Sequence, residues 1–146
     1  MYKRILLPVD GSEFAEGSVA YAIQLAKSIG ATLTAVHVTA PYSDIAIGEI
    51  GAYLPEAEYK ARAAANAVAA LDKVKAAATA AGLAVTVHHM SHSHPWEAII
   101  QTAKKDGADL IVMASHGRRG LAGLLIGSET KKVLTHSTIP VLVWRA

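Results

Sequence analysis

Five short apolar segments constrain this chain more than any other feature: ILLPVD from Ile5, TLTAVHV from Thr32, AVTVHHM from Ala84, DLIVMAS from Asp109 and PVLVW from Pro140. Each has strand length and is rich in β-branched residues. Long segments with helical spacing separate them, and none of the five is joined to the next by a tight turn. Parallel neighbours need such crossovers, so the fold class is α/β. The expected architecture is a single open, doubly wound, parallel five-stranded sheet with helices on both faces, Rossmann-like, spanning residues 1–146 as one domain. A chain of 146 residues is long enough for one such core.

The first helical segment runs from Ser12 to Ile29, with Ser12 in position to cap its start and Gly30 to close it. Val19, Ile23 and Ala26 share one face. The longest helix is expected from Pro55 to Ala81, with Glu56 and Glu58 in its positive first turn and Gly82 beyond its end. Its inner stripe is Leu71, Val74, Ala78 and Ala81. A third helix starts near Pro95 and carries Ile99, Ile100 and Ala103, and a fourth begins near Ser128. Residues 40–54 hold Pro41, Gly48 and Gly51 and read as a loop long enough to be functional.

Composition excludes several classes. Hydrophobic residues make up 52% of the chain, yet no apolar run approaches the roughly 18 residues that span a bilayer. Pro8 and Asp10 interrupt the apolar stretch after the N-terminal basic pair, so no targeting segment is expected. The absence of cysteine rules out disulfides, thiolate metal sites and cysteine nucleophiles, and a cytoplasmic location is expected. Fourteen basic against 12 acidic residues, a formal net charge of +2, is too even a balance to point to nucleic acid.

The segment that carries chemistry is MASHGRRGLAGLLIGSE, from Met113 to Glu129, which leaves the fourth strand and enters the fourth helix. Ala114, Gly117, Gly120, Gly123 and Gly127 let the main chain approach a ligand, and their N–H groups can converge on phosphate oxygens. Ser128 adds a hydroxyl at a helix start, where free N–H groups and the dipole favour an anion. Arg118, Arg119, Lys131 and Lys132 bring positive charge nearby. The competing reading of such a segment is a tight βα connection with no ligand. The Asp10-Gly11-Ser12 turn lacks the dinucleotide glycine series, and Gly127-Ser128 has no P-loop lysine between them, so neither NAD nor ordinary P-loop hydrolysis is indicated.

From MYKRILLPVDGS through the glycine segment to STIPVLVWRA, the sequence resembles the universal stress protein family. The ATP-binding members of that family carry Gly, two residues, Gly, nine residues, Gly, then Ser or Thr, and these positions fall on Ala114, Gly117, Gly127 and Ser128. Alanine replaces the first glycine. If that position serves close packing, a methyl group is a small intrusion. If it needs positive φ, alanine is strained by about 1 kcal/mol. The resemblance implies a homodimer paired through the C-terminal strand and a site for ATP or a related adenylate. That site draws on Ser115, His116, Gly117, Arg118, Arg119, Gly120, Gly127, Ser128, Glu129 and Thr130, with Asp10 and the Pro8 backbone near ribose or adenine and the Val38 backbone beside adenine. Asp10 and Val38 fall at the carboxyl ends of the first two strands, where open α/β sheets collect ligands. A turn or cap role for Asp10 and plain core packing for Val38 are the alternatives.

Mg²⁺ bound with the phosphates would draw on Ser128, Glu129 or Asp10. The functional expectation is a stress-response switch that changes its contacts with an unidentified protein partner according to occupancy. The alternatives are a slow ATPase or phosphotransferase, and a nucleotide-free dimerisation module. His88, His89, His92 and His94 tempt a metal assignment, but adjacent strand residues point to opposite faces. His116 is placed to contact phosphate or project into solvent. Ser115 and His116 lack the glycines of a nucleophile elbow. Trp96 and Trp144 read as packing or interface residues, since no basic groove surrounds either in sequence.

Overall fold

The computed structural model describes residues 1–46, 54–116 and 126–145. The elements in chain order are β1 (Arg4–Pro8), α1 (Glu13–Ile29), β2 (Thr32–Thr39), α2 (Tyr42–Ile45), α3 (Glu56–Ala80), β3 (Val85–Ser91), α4 (Pro95–Asp106), β4 (Leu110–Ala114), α5 (Ser128–His136) and β5 (Val141–Trp144). All five strands run parallel in the order β3-β2-β1-β4-β5. The chain therefore winds outward from β1 to β3, returns to place β4 on the other side of β1, and ends at β5. The expected doubly wound α/β sheet is the fold.

Central β1 explains why the order is stable. Ile5, Leu6 and Leu7 are each at most 1% exposed, because a parallel strand covered on both faces reads as a continuous apolar run. On one face Ile5, Leu7 and Val9 join Leu33, Ala35, Leu110 and Val112 against Ala22, Ile23 and Ala26 of α1 and Leu71, Val74 and Ala78 of α3. On the other, Leu6, Val36, Ile111 and Met113 meet Ile99, Ile100 and Ala103 of α4 and Val133 of α5. Each buried Leu, Ile, Val or Met side chain among these contributes about 1.5–3 kcal/mol, so both layers are needed to hold β1 between them.

Helix ends follow local chemistry with two departures. Gly30 closes α1 in the left-handed region at φ 67°, its N–H reaching the Ala26 and Lys27 carbonyls, as its lack of a Cβ allows. Ser12 occupies the cap position of α1 but makes no side-chain cap bond. Its hydroxyl donates instead to Asp10 Oδ1 at 2.6 Å, and a hydroxyl has one proton to give. The second departure is α2, a single turn inside the expected 40–54 loop. Pro41 precedes it, Tyr42 donates to the Leu54 carbonyl at 2.8 Å, and the Tyr42 and Tyr59 rings lie 5.8 Å apart.

The last strand is locked by one side chain. A Cβ at Gly17 of α1 would overlap the Trp144 indole at Cη2, Cζ2 and Cζ3, so the glycine is the slot into which β5 seats its ring. Gly17→Ala is therefore expected to destabilise the wild type by about 1–3 kcal/mol through overpacking. In a Trp144→Ala background the same change should stabilise by about 0.5–1 kcal/mol, because alanine is the better helix former. Equal effects in the two backgrounds, measured by denaturant unfolding, would rule out the slot.

At the opposite pole, Asp109 binds the start of β1: its carboxylate accepts the Lys3 N–H at 2.8 Å and the Arg4 N–H at 2.9 Å. Burial pushes this carboxyl up, but backbone N–H bonds from Arg4, Lys3 and Asp109 itself, together with the N-terminal charge, outweigh it and hold it below the usual carboxylate range. Its contribution to stability is present above the unfolded-chain value of about 3.9 and is lost as pH falls through the lower folded value. Asp109→Asn should lower the melting temperature at neutral pH, with the gap to wild type closing below about pH 3. A gap independent of pH would show that the charge contributes nothing.

Candidate functional site

The strand order places β1 and β4 side by side while their outgoing chains cross to opposite faces, and this divergence opens a crevice at the carboxyl ends of the two strands. On the β1 side, Pro8 ends the strand and Val9 continues it with an N–H bond to the Val36 carbonyl at 2.9 Å. Asp10 then turns the chain. Its Oδ1 accepts the Ser12 N–H at 2.9 Å as well as the Ser12 hydroxyl, while Gly11 takes φ 77°, where a side chain would be strained. Val38 is half-buried against the α4 layer, in register with Met90 of β3.

Sequence reasoning missed His37. It is 3% exposed, and its Nδ1 donates to the Val9 carbonyl at 2.9 Å, joining β2 to β1 where the ladder gives out. A solitary histidine at an inward strand position has no motif, and the period-2 pattern of TLTAVHV was the one available signal.

On the β4 side, Ala114 ends the strand in extended backbone; among the described residues only glycines have positive φ. Of the two alternatives for this position, the strained one therefore does not apply. Ser115 is 7% exposed, and its backbone is fully committed. Its N–H donates to the Trp144 carbonyl at 2.8 Å, and its carbonyl accepts the Gly127 N–H at 2.6 Å. Its hydroxyl lies 3.0 Å from His116 Nδ1. Thr130, 4% exposed, donates to the Ala114 carbonyl at 3.0 Å. These bonds set the first turn of α5 directly over the end of β4.

Gly127 occupies the cap of α5 with φ −65° and ψ 155°, and no side chain among the described residues caps the helix. The N–H groups of Ser128, Glu129 and Thr130 begin the helix and have no acceptor within it, and the exposed Ser128 hydroxyl stands beside them. Glu129 is engaged elsewhere. Its Oε2 accepts the Trp96 N–H at 3.0 Å, covering the first turn of α4, and its Oε1 pairs with Lys132 at 3.2 Å. Gly117, Arg118, Arg119, Gly120 and Gly123 lie outside the described residues.

The remaining tempting residues disperse. His88 pairs with Asp106 at 2.8 Å, and His89 with Thr39 at 3.0 Å. His92 lies 3.8 Å from Glu97 and accepts the His94 N–H at 2.9 Å. Among the described residues no three His, Asp or Glu side chains gather as metal ligands. Trp96 stacks on His136 with centroids 4.5 Å apart, so it packs α4 against α5. One cavity of about 460 Å³ lies at the far pole beside Arg4, Thr34, His88 and Asp106. Another of about 360 Å³ lies between the ends of β2 and β3 and α3, beside Thr39, Tyr42, Tyr59 and His89. Neither occupies the β1–β4 crevice. Among the described residues no helix is long and apolar enough to cross a membrane.

The family model described as the universal stress protein family matches residues 1–145. A universal stress protein from Thermus aquaticus, encoded in the QAH/OAS sulfhydrylase 3' region, is 35% identical over 146 residues, covering 99% of this chain and 100% of that protein. The solved structure of MJ0577, a universal stress protein of Methanocaldococcus jannaschii, superposes with a TM-score of 0.83 at 29% identity, covering 100% of this chain and 97% of that one. Two more distant structures share the fold: a universal stress protein in complex with cAMP (TM-score 0.67, 23% identity, 99% and 97% covered) and one from Archaeoglobus fulgidus in complex with dAMP (0.69, 21%, 97% and 97%). With the fold, the length and the sequence all in agreement, the chain belongs to the universal stress protein family.

Proposed function

We propose that this protein binds ATP or a related adenine nucleotide in the β1–β4 crevice and acts as a homodimeric, cytoplasmic regulatory switch. The observation that carries the reading is the start of α5, which no side chain among the described residues caps. Three N–H donors without an acceptor inside the helix and an exposed serine follow a glycine, at the point of the sheet where α/β folds collect ligands. Such a helix end favours a phosphate through its donors and its dipole together. The cAMP and dAMP bound by two relatives of the same fold add support for an adenylate.

In this reading Gly127 and Ser128 hold the phosphates, while Asp10 and the backbones of Pro8 and Val38 hold the nucleoside. Arg118 and Arg119 add charge, and Gly117 and Gly120 add backbone donors. The Ala114 methyl sits on extended backbone and costs the site no strain. Mg²⁺, when bound with the phosphates, would neutralise their charge beside the Ser128 hydroxyl. The homodimer forms through β5, which among the described residues pairs on one side only, with β4, and so offers an edge to a second copy.

Calorimetric titration of nucleotide-stripped protein with ATP, with and without Mg²⁺, tests the reading, and a product assay on the same sample separates a switch from a slow ATPase. Saturable binding without turnover is the expected result. The variant Gly127→Asp sharpens the test. An aspartate caps a helix at least as well as glycine, so the ligand-free protein should keep its stability or gain a few tenths of a kcal/mol. The same carboxylate would take the N–H groups and repel phosphate, lowering ATP affinity at least about tenfold. Unchanged ATP affinity in this variant would remove α5 from the site.

A further inference from the structure

At the amino pole of the sheet, opposite the crevice, a cavity of about 460 Å³ opens beside the end of α4. The strand period makes its floor polar. Arg4 and Thr34 stand two residues before Leu6 and Val36, on the face that those residues turn to α4. Thr86 and His88 lie opposite Thr34 and Val36 in the β2–β3 register. Gly107 closes α4 in the left-handed region at φ 65°, so the helix ends beside these side chains and they line open space.

Two opposite charges border this floor without pairing. Arg4 Nη1 donates to the Asp106 carbonyl at 3.4 Å, and a Cβ at Gly107 would lie 2.8 Å from the same nitrogen, so the guanidinium rests over the helix end. Yet among the described residues no ion pair joins it to a carboxylate. Asp109 spends its two oxygens on the Lys3 and Arg4 N–H groups. Asp106 gives Oδ2 to His88 Nε2 at 2.8 Å and keeps Oδ1 without a partner among the described residues. The Thr34 and Thr86 hydroxyls make no hydrogen bond among those residues either. A cation over a helix C-terminus offsets the dipole, but that role needs the charge alone and leaves most guanidinium donors to the cavity.

We infer that this cavity binds a small zwitterion, a free amino acid, with its carboxylate on the Arg4 guanidinium and its ammonium on Asp106 Oδ1. The Thr34 and Thr86 hydroxyls, able to donate and accept, serve either end. A guanidinium fork suits a carboxylate, and a ligand with both charges close together completes two groups that do not complete each other. A phosphate group fits poorly. With about two negative charges at neutral pH, it would face the Asp106 carboxylate and the negative end of α4. The site therefore differs from the β1–β4 crevice in place and in chemistry, and stands whether or not a nucleotide binds there.

The test is an amide-resolved NMR titration of the whole protein with glycine, L-leucine and L-glutamine, whose side chains sample the room the cavity leaves. At least one is expected to give saturable shifts at Thr34, Thr86 and His88 with the α5 amides unmoved. The carboxamide of the amino acid that binds, and inorganic phosphate, should each bind at least about tenfold more weakly. Arg4→Gln should lower the affinity about tenfold, the loss typical of hydrogen bonds to a charged group, and Arg4→Lys, which keeps the charge but not the fork, should recover part of it. Thr34→Val keeps the side-chain shape and the melting temperature and should lower the affinity about threefold; if Arg4→Gln melts early, this variant carries the test alone. No saturable shift at these amides with any of the three amino acids would overturn the inference. So would equal binding of the carboxamide or of phosphate, or an affinity that Thr34→Val and Arg4→Gln leave unchanged.

Discussion

The structure depends on the backbone of Ser115. Its N–H holds the end of β5 through Trp144, and its carbonyl holds the start of α5 through Gly127. The residue is buried, so neither group can turn to water, and breaking either bond would leave a buried polar atom to carry its desolvation cost. One residue thereby fixes the position of the helix start relative to β4 and relative to the strand edge offered for dimer pairing. The two proposed activities of the protein, holding an anion and meeting a second copy, share a single anchor. Through Ser115 the start of α5 is also tied to Trp144, whose ring fills the Gly17 slot of α1.

Everything else serves to hold that anchor still. Apolar layers on both faces leave β1 no freedom to shift, and His37 extends the β1–β2 pairing one bond past the strand end. Glu129, expected near the phosphates, ties α5 to the first turn of α4, and the stacked Trp96 and His136 rings close the same seam. The α5 start thus has support from β4, β5 and α4, the kind of rigid surround in which backbone donors keep their aim without a ligand present.

The fold was legible because its period was. Five β-branched runs and the intervening helical stripes carry their own spacing, and every expected strand and long helix has a counterpart, displaced by at most two residues at its ends. Strand ends moved where side chains competed with the ladder, as at Asp10, which takes the Ser12 hydroxyl that the helix cap would have used. The α2 turn was illegible because four residues are too few to show a period. Of the candidate site, Gly127, Ser128 and Ala114 could be located because glycine-rich strand-to-helix junctions have a local signature. The Gly17 slot, the His37 bridge and the Glu129 cap have none, since each joins residues far apart in sequence and is visible only when the helices are in place.

The account turns on whether an adenine nucleotide lays its phosphates on the start of α5, and the most direct measurement is an amide-resolved NMR titration with ATP. The prediction is saturable shifts of the Ser128, Glu129 and Thr130 amides, accompanied by Ser115 and His116, with the far pole around Arg4, Thr34 and His88 unmoved. Saturable binding that shifts the far pole, or the groove around Tyr42 and Tyr59, while leaving the α5 amides in place would contradict it.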